Sequence, residues 1–277
     1  MCPWRNVANP YGIKTLINRT FASRFFIAKL SRYPLIGKFL DTLLFAEDDI
    51  MYLPADRSIP INQRLTDRQD MVLPSQVLDR IIDQAQHHWI MDFCICRDSA
   101  NCQSYPKTMG CLFMRRAALD INPKFGRAVT RREAREHVQQ CREAGLVHLV
   151  GRNKLDAVWL GVKPGQKLFT VCNCCPCCCL WRILPDITPE IGDKLTRMPG
   201  VEVRVTHECV GCGTCTQDVC FTGAIQMQHG QAVIGGDCRG CGRCVLTCPN
   251  DAIVLTLTDE AFLQKTIRRL TTAVDLS

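Results

Sequence analysis

The sequence predicts an α+β protein of 277 residues: a helical, basic N-terminal segment, a cysteine-rich α/β middle domain, and a small C-terminal domain built on a repeated cysteine run. Three observations carry that prediction. The whole net charge of +7 sits at the N-terminus. Helix-opening patterns and short apolar runs alternate through the middle of the chain. The 20 cysteines are clustered, and the last eight fall in two similar runs whose first three cysteines repeat with a period of 29 residues.

Residues 1–45 read as one or two helices. Arg5, Lys14, Arg19, Arg24, Lys29, Arg32 and Lys38 lie in residues 1–40, which hold no Asp or Glu; the remaining 27 basic and 27 acidic groups cancel. After Pro34, the residues Leu35, Ile36, Phe39, Leu40 and Leu43 recur at helical spacing, so this piece is amphipathic. Such a segment suits an anionic membrane surface or an acidic redox partner protein. No basic–aromatic platform follows it, and no nucleic acid is expected.

Residues 46–74 are turn-rich, with Pro54, Pro60 and Pro74, and read as a linker or arm. Residues 75–199 form the middle domain. A helix is predicted from Pro74-Ser75 toward Trp89 through Val77, Leu78, Ile81, Ile82 and Ala85, with His87 and His88 as surface groups near its end. Thr130-Arg131-Arg132-Glu133 is a capping-box pattern, and Gly145 is a stop. Leu146-Val147-His148-Leu149-Val150, Val158-Trp159-Leu160 and Leu168-Phe169-Thr170-Val171 read as strands. Residues 200–258 begin with the alternating Val201, Val203 and Val205, and residues 259–277 include a terminal helix.

The basic N-terminus is not followed by an apolar run of signal-peptide length, and no stretch is long and apolar enough to span a membrane. A cytoplasmic protein is expected, peripheral on the inner membrane surface if the basic segment docks there. In that reducing setting clustered cysteines are metal ligands, not disulfides. Nucleotide-phosphate loops, the dinucleotide glycine fingerprint and the serine-hydrolase elbow are all missing, so NAD, ATP and acyl-hydrolase chemistry lack support.

The repeat reads Cys209-Val210-Gly211-Cys212-Gly213-Thr214-Cys215 with Cys220, then Cys238-Arg239-Gly240-Cys241-Gly242-Arg243-Cys244 with Cys248. Residues 200–258 resemble the bacterial 2[4Fe–4S] ferredoxin domain. The resemblance implies that the fourth cysteine of each run serves the other cluster. Cluster I then takes Cys209, Cys212, Cys215 and Cys248, and cluster II takes Cys238, Cys241, Cys244 and Cys220. Gly211, Gly213, Gly240 and Gly242 let the loops wrap tightly and bring N–H groups to the sulfides. The first run departs from the pattern: four residues separate Cys215 from Cys220, and Phe221 stands where proline is usual.

The middle domain adds Cys94, Cys96, Cys102, Cys111, Cys172, Cys174, Cys175, Cys177, Cys178 and Cys179. With Cys96-Arg97, Gly145-Leu146-Val147-His148 and Cys172-Asn173-Cys174-Cys175, residues 75–255 resemble a group of anaerobe iron–sulfur proteins. These carry C-x-C-R, G-L-V-H and C-N-C-C-x-C-C elements ahead of a dicluster ferredoxin. Adjacent thiols such as Cys174 and Cys175 point apart, so the ten do not all bind one cubane. One further [4Fe–4S] cluster with spare thiols, a larger cluster, a zinc site with reactive thiols, and no metal at all stay open. His148 is a candidate proton donor or ligand, set against a histidine packed on the core. Arg97 is a candidate for orienting an anion or cluster sulfide, set against a surface arginine. Cys2 and Cys141 read as ordinary thiols.

The function expected is iron–sulfur electron transfer, with a ferredoxin domain exchanging single electrons between a redox partner protein and a middle-domain site. A reductive enzyme with an open middle cluster is the alternative, and a metal or sulfur carrier is a third.

Overall fold

The computed structural model describes residues 10–56, 74–257 and 261–272. Cys2, Arg5 and most of the expected linker lie outside them. The N-terminal segment is α1 (Pro10–Thr20), α2 (Arg24–Leu30) and α3 (Pro34–Leu40). The middle follows as β1 (Asp49–Tyr52), α4 (Pro74–Gln84), β2 (His88–Met91), α5 (Ile95–Ser99) and β3 (Leu112–Met114). It continues with β4 (Gly126–Val129), α6 (Arg131–Glu143), β5 (Val147–Arg152), α7 (Lys154–Leu160), β6 (Phe169–Cys174), α8 (Pro189–Gly192) and β7 (Leu195–Arg197). The C-terminal part is β8 (Val201–Val205), β9 (Ile225–Gln228), β10 (Gln231–Ile234), α9 (Arg243–Thr247), β11 (Ile253–Leu257) and α10 (Phe262–Thr272).

The expected α+β class holds. One mixed sheet organises the middle, in the order β4-β2-β3-β6-β5-β1-β7. Its described pairs are antiparallel except β1 with β7, so the middle domain is an antiparallel-rich sheet and not an alternating α/β unit. The C-terminal part adds two small antiparallel pairs, β8 with β11 and β9 with β10.

The central strands are covered on both faces, and alternation sorts their side chains. Met51, Val150, Phe169 and Val171 face a core closed by α4, α6 and α10, where Val77, Leu78, Ile81, Ile82, Val138 and Leu270 are buried. Ile50, Tyr52, Val147, Leu149 and Cys174 face the opposite side with Trp181 and Phe221. Cys172 and Cys174, two residues apart on β6, thus share the second face.

Several local expectations hold. Thr130 caps α6 through both arms of the capping box, accepting from Glu133 N at 3.2 Å while Glu133 accepts from Thr130 N at 2.8 Å. Gly145 adopts φ +77°, a left-handed stop that a β-carbon would strain.

Others are corrected. Asp49–Tyr52, inside the expected linker, is a buried strand between β5 and β7. The helix expected to reach Trp89 ends at Gln84, and His88 begins a strand. His88 is not a surface group: it is 4% exposed and its Nε2 lies 2.8 Å from the Ile82 carbonyl in the last turn of α4. Val158-Trp159-Leu160 is helical, because the Asn153 side chain caps Leu155 N at 3.1 Å and Gly161 at φ +68° terminates the turn. The N-terminal helices lie against the body: Lys14 pairs with Asp98 at 2.9 Å and covers the Phe93 ring at 3.9 Å.

Candidate metal centres

The C-terminal domain brings its eight cysteines into two groups that cross between the runs. Cys209, Cys212, Cys215 and Cys248 line one hollow together with Ala232 and Ile253. Cys220 and Cys238 both act electrostatically on Cys241 and on Cys244, so these four form the second group. Gly211, Gly213, Gly240 and Gly242 all have positive φ, from +68° to +78°. At Gly240 a β-carbon would come within 2.7 Å of the Arg197 side chain. The tight wrap aims N–H groups at sulfur: Ala232 N donates to Cys209, Gly240 N to Cys238 and Ala252 N to Cys248, at 3.3–3.5 Å. Burial pushes the Cys241 thiol up to about 11, so loading a metal must displace its proton.

The ten middle cysteines divide differently. Cys94, Cys96, Cys111, Cys172, Cys174 and Cys179 line a cavity of about 180 Å³, closed on the N-terminal side by Ile17 and Phe21. Cross-strand register builds it. Leu112 pairs with Val171, which sets Cys111 beside Cys172 with sulfurs 3.7 Å apart. The Cys94 and Cys96 thiols hydrogen-bond to each other, as do those of Cys174 and Cys179. The Cys96 thiol and then the Arg97 cation hold Cys94 down at about 6. Cys175 borders the cavity, but its sulfur belongs to another group: the Sγ atoms of Cys102, Cys175, Cys177 and Cys178 all lie within 4.8 Å of one another. Cys141, expected to be an ordinary thiol, is fully buried beside this group, 3.8 Å from His137 Nε2, and burial pushes it up to about 12.

Arg97 is fully buried, not a surface arginine. Its guanidinium donates to the carbonyls of Pro106 (2.8 Å), Asn173 (2.6 Å) and Met109. The sulfur groups facing it are Cys94, Cys175 and Cys111, and Cys175 also hydrogen-bonds to it. A buried cation in such a neutral setting is stabilised by nearby anions, which thiolates would supply.

His148 is buried on β5, opposite Asn173 on β6. Its Nδ1 lies 2.8 Å from Asn173 Oδ1, so Nδ1 carries the proton. Its Nε2 is buried without a hydrogen-bond partner. Burial, then Arg142, push it down to about 3, so it is a neutral core histidine at physiological pH. It borders a cavity of about 420 Å³ together with Arg142, Tyr105, Asp218 and Arg243.

Sequence reasoning missed Tyr52. Its ring stands 4.7 Å from Phe221, next to Cys220, and its hydroxyl lies 3.9 Å from Cys179 Sγ. Cys241 packs against the same apolar group. The signal for β1 was present as four apolar residues, Ile50-Met51-Tyr52-Leu53, set between Asp49 and Pro54.

Every described cysteine is a free thiol. Among the described residues no helix is long and apolar enough to cross a membrane. Residues 233–254 match the family of 4Fe-4S binding domains. No curated protein and no solved structure matches the chain. The C-terminal part of the chain is therefore a ferredoxin-type iron–sulfur domain that binds a 4Fe-4S cluster.

Proposed function

We propose that this is an iron–sulfur electron-transfer protein whose ferredoxin domain holds two [4Fe–4S] clusters and exchanges single electrons with a further cluster in the six-thiol cavity. Cys209, Cys212, Cys215 and Cys248 are the ligands of cluster I, and Cys220, Cys238, Cys241 and Cys244 those of cluster II. Cys94, Cys96, Cys111, Cys172, Cys174 and Cys179 supply the ligands of the third. The donor set fits, because it is soft sulfur throughout, with buried Arg97 beside it to balance thiolate charge. When bound, such clusters supply reversible one-electron chemistry.

The single observation that supports the relay is Tyr52, packed between Phe221 of the ferredoxin domain and Cys179 of the cavity. It links the two sets of thiols through one fully buried side chain. Iron quantitation and an EPR-monitored redox titration of anaerobically purified protein test the reading. About twelve irons and a third redox signal are expected, from four irons per cubane. Eight irons with two cubane signals alone would overturn it.

The cavity beside His148 favours a second reading, a reductive enzyme. Its test is whether small molecules perturb the third signal.

The N-terminal segment serves as the docking face for an anionic membrane surface. Phe26, Leu35 (87% exposed), Ile36, Phe39 and Leu43 are exposed apolar side chains, carried on a segment whose charges are almost all basic. Apolar insertion with flanking Lys and Arg is the mode of an interfacial helix. Sedimentation with anionic and neutral vesicles tests it, and binding to neither, with capture by an acidic redox partner instead, sinks it.

A further inference from the structure

Cys102, Cys175, Cys177 and Cys178 form a knot separate from the six-thiol cavity. Cys177 Sγ lies 3.7 Å from that of Cys102 and 3.5 Å from that of Cys178, and all four sulfurs fall within 4.8 Å of one another. Four sulfurs at ~2.3 Å from one tetrahedral ion stand ~3.8 Å apart by simple geometry. Four thiolates capping the corners of a cubane stand roughly 6 Å apart, because a cube of metal and sulfide lies between them. The knot has the dimensions of one ion.

We propose that Cys102, Cys175, Cys177 and Cys178 bind a single tetrahedral Zn²⁺ ion that fastens the loop after α5 to the end of β6. Four sulfur ligands close the shell and leave no open position, which is the pattern of a structural zinc site. Three of the four are buried, and Cys177 is partly so. Binding exchanges four thiol protons, released to solvent, for one Zn²⁺ and leaves the site with net charge −2. Arg97 faces Cys175, and Arg182 donates to the Cys177 carbonyl at 2.6 Å, so two cations flank that charge.

The loop held this way carries the Pro106 and Met109 carbonyls that grip Arg97. The ion therefore keeps in place the cation standing between the knot and the six-thiol cavity. This inference does not depend on the electron relay. A protein with only two cubanes could still carry the zinc.

Metal analysis of the anaerobically purified full chain tests it. The wild type is expected to hold about one zinc per chain beside its iron, with zinc K-edge absorption showing four sulfur neighbours at ~2.3 Å. The Cys102→Ser, Cys177→Ser double variant should lose that zinc and keep the iron of the ferredoxin domain. The Cys94→Ser, Cys179→Ser variant should keep the zinc. A wild type without zinc, zinc bound by nitrogen or oxygen, or iron in the knot as one ion or as a cluster would each overturn the assignment. The wild-type absorption measurement stands even if a variant fails to fold.

Discussion

The Tyr52 hydroxyl lies 3.9 Å from Cys179 Sγ, and the same ring packs at a tilt against Phe221 with the ring centroids 4.7 Å apart. An O–H group aimed at a ligand sulfur stabilises the more negative, reduced state of whatever that sulfur binds. Tyr52→Phe keeps the ring contact and removes the donor. It is expected to leave the iron content unchanged and lower the potential of the middle-domain signal, read by redox titration. Tyr52→Ala also removes the ring, and should cost about 3–5 kcal/mol of stability and slow reduction of the middle site at least tenfold.

Cys248 lies in the second cysteine run but groups with Cys209, Cys212 and Cys215 of the first. Cys248→Ser should therefore damage the cluster held by the first run. Loss of about four irons per chain is expected, with the spectrum of the other cubane intact. Loss of the cluster held by Cys238, Cys241 and Cys244 would show that the crossed assignment is wrong.

Arg97 grips three carbonyls from within the protein. Arg97→Met leaves those acceptors unpaired, at about 1–3 kcal/mol each, and removes the cation that the thiols face. Such a variant should unfold at markedly lower denaturant and lose middle-domain metal. Arg97→Lys keeps the charge but not the planar fork, so it should recover metal content better than stability.

Asp48 accepts from Lys154 N at 2.7 Å, and burial pushes its carboxyl up to about 7. Asp156 also raises it, while Lys194 and Arg152 oppose the shift. Between an unfolded value of about 3.9 and the native one, the folded chain binds more protons, so this group's contribution to stability falls as pH rises through that window. Asp48→Asn keeps the acceptor and removes the titration. Urea unfolding at pH 5 and pH 8 should show a smaller loss for the variant than for the wild type. An equal loss would mean that the carboxyl titrates normally.

Leu35 and Phe39 are exposed on α3. Replacing both with Glu should leave thermal stability within about 0.5 kcal/mol, since exposed surface changes seldom do more. It should also abolish sedimentation with anionic vesicles. Retained vesicle binding would remove α3 from the docking face.

The two groupings of the eight C-terminal cysteines were legible because short gaps and glycines make each loop local, while their crossing between the runs came from the resemblance and not from the repeat itself. The division of the middle ten was not, because it depends on sheet register far apart in sequence. Nothing near Cys111 announces that β3 will lie against β6 and bring Cys172 to it. Tyr52 was hidden for the same reason, inside proline-rich surroundings that read as linker although its strand lies between β5 and β7. Val158-Trp159-Leu160 is too short to reveal a period, and the Asn153 cap and Gly161 decide its conformation. Arg97 was noticed for its motif, but no pattern in the sequence reveals that three carbonyls enclose it.

Cys174 faces the six-thiol cavity, while the sulfur of Cys175, the next residue, belongs to the knot. One peptide unit separates the two sulfur groups. Inserting or deleting a single residue between Asn173 and Cys177 would change the reach of the turn that follows β6 and draw the Cys177 and Cys178 sulfurs away from Cys102. The two sulfur groups therefore share one short segment, and a change in its length reaches both of them.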